Sequence, residues 1–218
     1  MIQIVMYPIC KLCFRMKVRG AKYLDTDGGG LLLANHQSFL DPILLGIGLG
    51  RSVSFLARED LFRVFLLGWI CKKCHTLPID PEAGSVASLR LSVNRIKAGG
   101  IVGVFPEGSR TLDGKMDVFK PGFIALLRRT HCPVFPVGIA GAFEVMPRGR
   151  ILPRFGTIRV VYGEPISDAE LQPFLVKGQE QQLVDLIEQR ITDCQRQAEE
   201  WRNGSKDPDN KNQVVSAS

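Results

Sequence analysis

An α/β domain, with helices on both faces of a mainly parallel sheet, is the fold this sequence predicts. Three observations lead there. Short apolar runs bounded by glycine or proline alternate with segments of helical period, the signature of βαβ units. Several runs are continuously apolar, such as Leu31-Leu32-Leu33-Ala34 and residues 132–141, as strands covered on both faces must be. The residues with chemical potential fall just after such runs, at the carboxyl ends of strands where open α/β sheets place their sites.

Taken in order, residues 28–36 read as a Gly-rich turn and a buried strand. Asp41-Pro42 opens a helix through residue 50, with Asp41 as N-cap and Pro42 at the first helical position. Residues 52–58 alternate and form a strand, 59–74 a helix, and 76–80 a short strand. Residues 85–99 carry Val86, Leu89, Val93 and Ile96 at helical spacing and stop at a glycine pair. A strand runs through 101–108 into a loop, a helix covers 122–130, and strands cover 132–141 and 158–166. Ser167 and Glu170 fit a capping box. The helix over 179–202 has Leu183, Ile187, Ile191 and Cys194 on one face. The chain therefore divides into an N-terminal amphipathic segment (1–20), one domain (21–202) and a polar tail (203–218) expected to be disordered.

With 218 residues, 45% of them hydrophobic and 23% charged, the chain is long enough for a real core in one domain. The net charge of +6 suits an anionic partner, although a merely solvated basic surface has the same charge. No apolar run reaches eighteen residues, so a spanning helix is not expected. The first twenty residues mix Ile2, Ile4, Val5, Tyr7, Ile9 and Leu12 with Lys11, Arg15, Lys17 and Arg19. Such a segment fits a membrane interface, or equally a core-packing helix with a wet basic face. It lacks the features of a secretory signal. The six cysteines then read as reduced thiols. Cys71-Lys72-Lys73-Cys74-His75 spells a c-type haem attachment motif, but that chemistry needs export, so the match reads as coincidence. Nothing resembles an RRM, KH or helix-turn-helix pattern, and no nucleic-acid partner is expected.

Two motifs carry chemistry. In Asn35-His36-Gln37-Ser38-Phe39-Leu40-Asp41, a strand-end turn can bring His36 and Asp41 together. A carboxylate on one imidazole nitrogen fixes the tautomer and lets the other nitrogen take a proton from a hydroxyl. Ser38 lacks a nucleophile elbow. In Phe105-Pro106-Glu107-Gly108-Ser109-Arg110, a strand delivers a glycine, a hydroxyl and a planar cationic fork to one turn, which suits a phosphate. Arg58, ending its strand, and Lys120 are candidate further cations.

Residues 35–41, 54–62, 105–111 and 132–139, in that order, resemble the glycerolipid acyltransferase family, which contains the 1-acylglycerol-3-phosphate acyltransferases. The resemblance spans about residues 12–170. It implies that His36 and Asp41 are the catalytic pair and that Arg58, Glu107, Gly108, Ser109, Arg110 and Lys120 surround the acceptor phosphate. Glu107 either holds its loop or meets the acceptor's polar group. The implied substrates are a lysophospholipid, foremost lysophosphatidate, and an acyl thioester of coenzyme A or acyl carrier protein. No metal or cofactor is expected. The oxyanion is assigned to backbone N–H groups near the start of the helix at Pro42. The implied location is the cytoplasmic side of the cell membrane, as a peripheral protein on an anionic surface, held by residues 1–20 and by residues 61–70. The rival is a non-catalytic lipid-binding protein on the same fold.

Overall fold

Residues 30–34 have no polar side chain pointing to either side, so whatever forms around them must cover both faces. The computed structural model describes residues 2–47, 49, 51–58, 77–79, 84–150 and 152–205, by backbone alone for 2–6, 56–58, 77–79 and 84–85. In it, this segment is a strand at the centre of the sheet. The strands are β1 (Lys17–Arg19), β2 (Gly30–Ala34), β3 (Val53–Arg58), β4 (Leu77–Ile79), β5 (Ile101–Val104), β6 (Val134–Ala140) and β7 (Arg159–Tyr162). Their spatial order is β1-β7-β6-β2-β5-β3-β4. Every neighbouring pair is parallel except β6 and β7.

Alternation along β2 divides the core. Leu32 and Ala34 face a cluster closed by Cys10 of α1 (Ile2–Cys13), Ile43 and Leu44 of α2 (Asp41–Gly46), and Val145 of α5 (Ala142–Val145). Leu31 and Leu33 face the other cluster, closed by Ile96 of α3 (Gly84–Lys97), Leu127 of α4 (Ile124–Thr130), and Leu183, Ile187 and Ile191 of α7 (Glu180–Arg202). The remaining helix, α6, is the single turn Asp168–Leu171. Ser167 and Glu170 form the expected capping box around this turn.

Helix α7 comes so close to β6 at Gly138 that a Cβ there would lie 2.1 Å from the Gln195 backbone nitrogen. Gly138→Ala should therefore cost about 2–4 kcal/mol, since neither backbone can yield without shifting a core element. A thermal melt should fall by about 4–16 °C.

Two sequence expectations need correction, while the mainly parallel sheet stands as expected. Within that sheet β7 alone runs antiparallel to its neighbour β6, and a three-residue β1 adds an edge that the sequence reading did not include. α2 stops at Gly46 rather than residue 50. Asp41 is not an N-cap: it lies in the first turn of α2 and its carboxylate reaches back to the amides of Gln37 and Ser38. Cys10, Phe14 and Met16 are buried in the core, while Tyr7, Ile9 and Leu12 stay exposed. Among the described residues no helix is long and apolar enough to cross a membrane. The expected helix over 59–74, with residues 61–70 and the Cys71–His75 motif, lies outside the described residues.

Candidate active site

The carboxyl edge of the parallel strands gathers the chemically interesting residues. His36 follows β2 by two residues, the Phe105–Arg110 turn follows β5, and Arg58 ends β3. The turn after β2 is fixed from outside. Asn35 donates its side-chain N–H to the Ile139 carbonyl at 3.0 Å and accepts the Ile139 N–H at 2.7 Å, locking the end of β2 to β6. Ser38 Oγ donates to the Met146 carbonyl at 2.8 Å. This spends the Ser38 hydroxyl on structure.

Inside that turn, Asp41 Oδ2 accepts three hydrogen bonds: from His36 Nδ1 at 2.8 Å, Gln37 N at 2.6 Å and Ser38 N at 2.7 Å. The Asp41 side chain is 0% exposed and that of His36 18%. A carboxylate at Nδ1 assigns the proton to that nitrogen, so Nε2 is left as the base. Burial pushes the Asp41 carboxyl up, against the pull of His36 and the two amides. Asp41 Oδ1 is buried with no hydrogen-bond partner among the described residues. The His36 ring stacks on Phe105, with centroids 3.9 Å apart and planes within 12°, and Phe105 stacks in turn on Phe55. The imidazole is thus clamped on one face by an aromatic and at one nitrogen by a carboxylate.

The second motif is tied to the first. Glu107 Oε1 accepts His36 N at 2.6 Å, Glu107 Oε2 accepts Asp117 N at 2.9 Å, and the Thr111 amide donates to the His36 carbonyl at 2.9 Å. Glu107 is buried, and burial pushes its carboxyl up. Of the two roles open to Glu107 in the sequence, the geometry favours the first. Each of its oxygens accepts a backbone amide, and a second anion beside a phosphate would repel it, which weighs against a direct contact with the acceptor.

Gly108 turns the loop at φ +75°, and the Lys120 side chain lies over it, with Nζ 3.0 Å from where a Cβ would stand. Ser109 is exposed beside it. Arg110 stacks its guanidinium on the Phe39 ring at 3.9 Å. Burial and the nearby Arg148 charge push that guanidinium's pKa down, and its Nη1 is buried without an acceptor among the described residues. Gly108, Ser109, Arg110 and Lys120 therefore occupy one loop region joined to the His36 turn, with Arg110 close enough to Asp41 to feel its charge. Arg58 ends β3 at the same edge, with its Cα in register with Ile79; its side chain is outside the description.

One sequence assignment fails here. The amides at the start of α2 are not open to an oxyanion. Pro42 has no N–H, and the Ile43 and Leu44 amides both bond the Leu40 carbonyl at 2.9 Å. The Gln37 and Ser38 amides are spent on Asp41. Sequence reasoning also passed over Asn35 and Phe105, which hold the imidazole in place. Both lie inside the two motifs, and their neighbours' chemistry was the only signal for them.

A buried carboxylate thus holds a clamped imidazole, with a guanidinium nearby whose Nη1 has no acceptor among the described residues. The acyltransferase family model matches residues 15–140, and the chain belongs to that family. It is 27% identical to the 1-acyl-sn-glycerol-3-phosphate acyltransferase of Bacillus subtilis, over 85% of this chain and 90% of that one. It is 32% identical to the chloroplastic 1-acyl-sn-glycerol-3-phosphate acyltransferase BAT2 of Brassica napus, over 72% of this chain and 47% of that longer one. Among solved structures, the 1-acyl-sn-glycerophosphate acyltransferase PlsC of Thermotoga maritima superposes with a TM-score of 0.71. That protein is 27% identical, and the match covers 88% of this chain and 74% of it.

Proposed function

We propose that this protein transfers a fatty acyl group from an acyl thioester to the free hydroxyl of a lysophospholipid, with 1-acylglycerol-3-phosphate as acceptor and phosphatidate as product. The observation that carries the reading is the His36–Asp41 pair at 2.8 Å, next to a buried Arg110 N–H that has no acceptor among the described residues. The relatives named for this reaction support the choice of acceptor.

In this mechanism the acceptor phosphate meets Arg110, Lys120 and Ser109, with Arg58 from the end of β3. Gly108 allows the phosphate to approach the backbone. The acceptor hydroxyl points at His36 Nε2, which takes its proton as the oxygen attacks the thioester carbonyl. The new C–O bond gives a tetrahedral intermediate, and Asp41 stabilises the imidazolium. Collapse breaks the C–S bond, and the thiolate leaves with the proton from Nε2. Acyl-CoA and acyl carrier protein both supply this chemistry. Neither a metal nor a cofactor takes part.

The acceptor is amphiphilic, so the protein works at a membrane surface, on the cytoplasmic side. Exposed Tyr7, Ile9 and Leu12 on α1, with Lys11 and Arg15 exposed beside them, support that placement. The test is acyl transfer to a panel of lysophosphatidate, lysophosphatidylcholine and glycerol 3-phosphate, with both donors. Lysophosphatidate should lead. Arg110→Ala should raise the acceptor KM about 10–100-fold, the worth of a charge-assisted phosphate contact. Equal turnover of lysophosphatidylcholine and lysophosphatidate, or a KM unmoved in Arg110→Ala, would remove the phosphate site.

A further inference from the structure

The segment joining α5 to β7 has no part in the chemistry above, yet its composition is unusual for a connection. It reads Pro147-Arg148-Gly149-Arg150-Ile151-Leu152-Pro153-Arg154-Phe155-Gly156. Leu152 is 73% exposed and Phe155 85%, although both are large and apolar. Three arginines lie among them, and among the described residues no carboxylate pairs with Arg148, Arg150 or Arg154. Single exposed apolar residues are ordinary. Two of them at one loop, interleaved with unpaired cations, are what a bilayer interface selects: apolar tips among the acyl chains and guanidinium groups at the phosphates.

The loop is held in place at both ends. At its start, Met146 accepts the Ser38 hydroxyl two residues from His36, and Arg148 is close enough to Arg110 to affect its charge. The Arg154 amide bonds the Val145 carbonyl at 2.8 Å, so the tip is folded back on α5. At its end, the Gly156 amide donates to the Cys13 carbonyl at 3.2 Å, and Ile158 N to Phe14 O at 2.9 Å. That sets Phe155 beside the end of α1, where Leu12 is 79% exposed. The loop is thus joined by backbone hydrogen bonds to the end of α1 and by Met146 to the His36 turn.

We propose that residues 147–150 and 152–156 form a second membrane contact beside that of the N-terminal helix, with Leu152 and Phe155 entering an anionic bilayer and Arg150 and Arg154 at its headgroups. This rests on the reading that the acceptor is a membrane lipid. Its consequence is orientation: α1 alone leaves the protein free to rotate about one line of contact, whereas two linked contacts hold the site toward the lipid surface.

The experiment is co-sedimentation of the full chain with vesicles of phosphatidylglycerol and phosphatidylcholine at low and high salt. Leu152→Ser with Phe155→Ser should weaken partitioning by about tenfold or more, from the loss of two apolar insertions. Arg154→Gln should weaken it about fivefold at low salt, with the difference shrinking at high salt. Val176→Ser, which removes an exposed apolar residue elsewhere, should bind like wild type. Phe155→Trp gives a reading that does not depend on losing anything: its emission should shift to the blue on adding vesicles and be quenched by lipids labelled in the acyl chain. Partitioning of the double serine variant at the wild-type level, or Phe155→Trp emission indifferent to vesicles, would overturn the proposal. So would binding of the double variant that falls only together with its melting temperature, if Phe155→Trp is also silent. Short-chain lysophosphatidate dispersed as monomers separates this from the enzymatic reading. The double variant should turn it over at the wild-type rate, and failure of wild type to do so would count against the acyltransferase chemistry while leaving the vesicle results standing.

Discussion

Asp41→Asn should reduce acyl transfer about 10²–10⁴-fold while leaving the protein at least as stable as wild type. In the proposed mechanism the charge on Oδ2 stabilises the imidazolium as His36 takes the proton, and an amide cannot supply it. Stability is spared because of how the three donors are arranged. His36 Nδ1, Gln37 N and Ser38 N all point at Oδ2, and the asparagine carbonyl oxygen can replace it. The amide nitrogen then occupies the position of Oδ1, which has no partner to lose among the described residues. Burial raises the Asp41 carboxyl pKa in the folded protein, so the folded state holds this proton more tightly than the unfolded chain. Its contribution to stability is full below the unfolded value near 4 and is lost as pH rises through the folded value. The variant lacks that loss. Its melting temperature should therefore gain on wild type as the pH rises above about 4, measured by denaturation at each pH. A variant that melts well below wild type at neutral pH would mean that Asp41 serves the fold first.

Glu107→Gln should show the opposite balance. Glu107 accepts one amide at each oxygen, His36 N at 2.6 Å and Asp117 N at 2.9 Å. Glutamine has one acceptor and one donor, so an N–H must face an N–H on one side. The buried clash should cost about 1–3 kcal/mol and lower the melting temperature by about 2–12 °C. His36 is the residue displaced, and a misplacement of about 1 Å costs on the order of 10² in rate. With Glu107 bonded to the His36 and Asp117 amides, the proposed mechanism puts the loss on kcat with the acceptor KM little changed. A raised KM at unchanged kcat would return Glu107 to the phosphate site.

The contrast between these two carboxylates marks what was legible in the sequence. The buried runs at β2 and β6, the helical spacing of α7 and the placing of both motifs after strands could all be read from local pattern, because burial on two faces leaves a continuous apolar signature. The reversal of β7 could not be read. Its direction is set by the path of residues 141–158, and no local pattern encodes that path. β1 was invisible because three residues carry no period. At the site, the pairing of His36 with Asp41 was readable from spacing, but the direction in which Asp41 turns was not. An Asp before Pro ordinarily caps forward, and here the tertiary position of the Gln37 and Ser38 amides draws it back. Glu107 was ambiguous for a similar reason, since its partner Asp117 lies ten residues away in a loop without regular structure.

Labelled acyl-CoA and lysophosphatidate, supplied to wild type and His36→Ala side by side in vesicles, test the central claim most directly. Wild type should form phosphatidate, and His36→Ala should lose at least about 10³-fold of that activity while keeping its fold by circular dichroism. Phosphatidate formed equally by both proteins would contradict His36 as the base. A folded wild type that transfers to no lysolipid, from acyl-CoA or from acyl carrier protein, would contradict the chemistry itself and leave a lipid-binding protein on an acyltransferase fold.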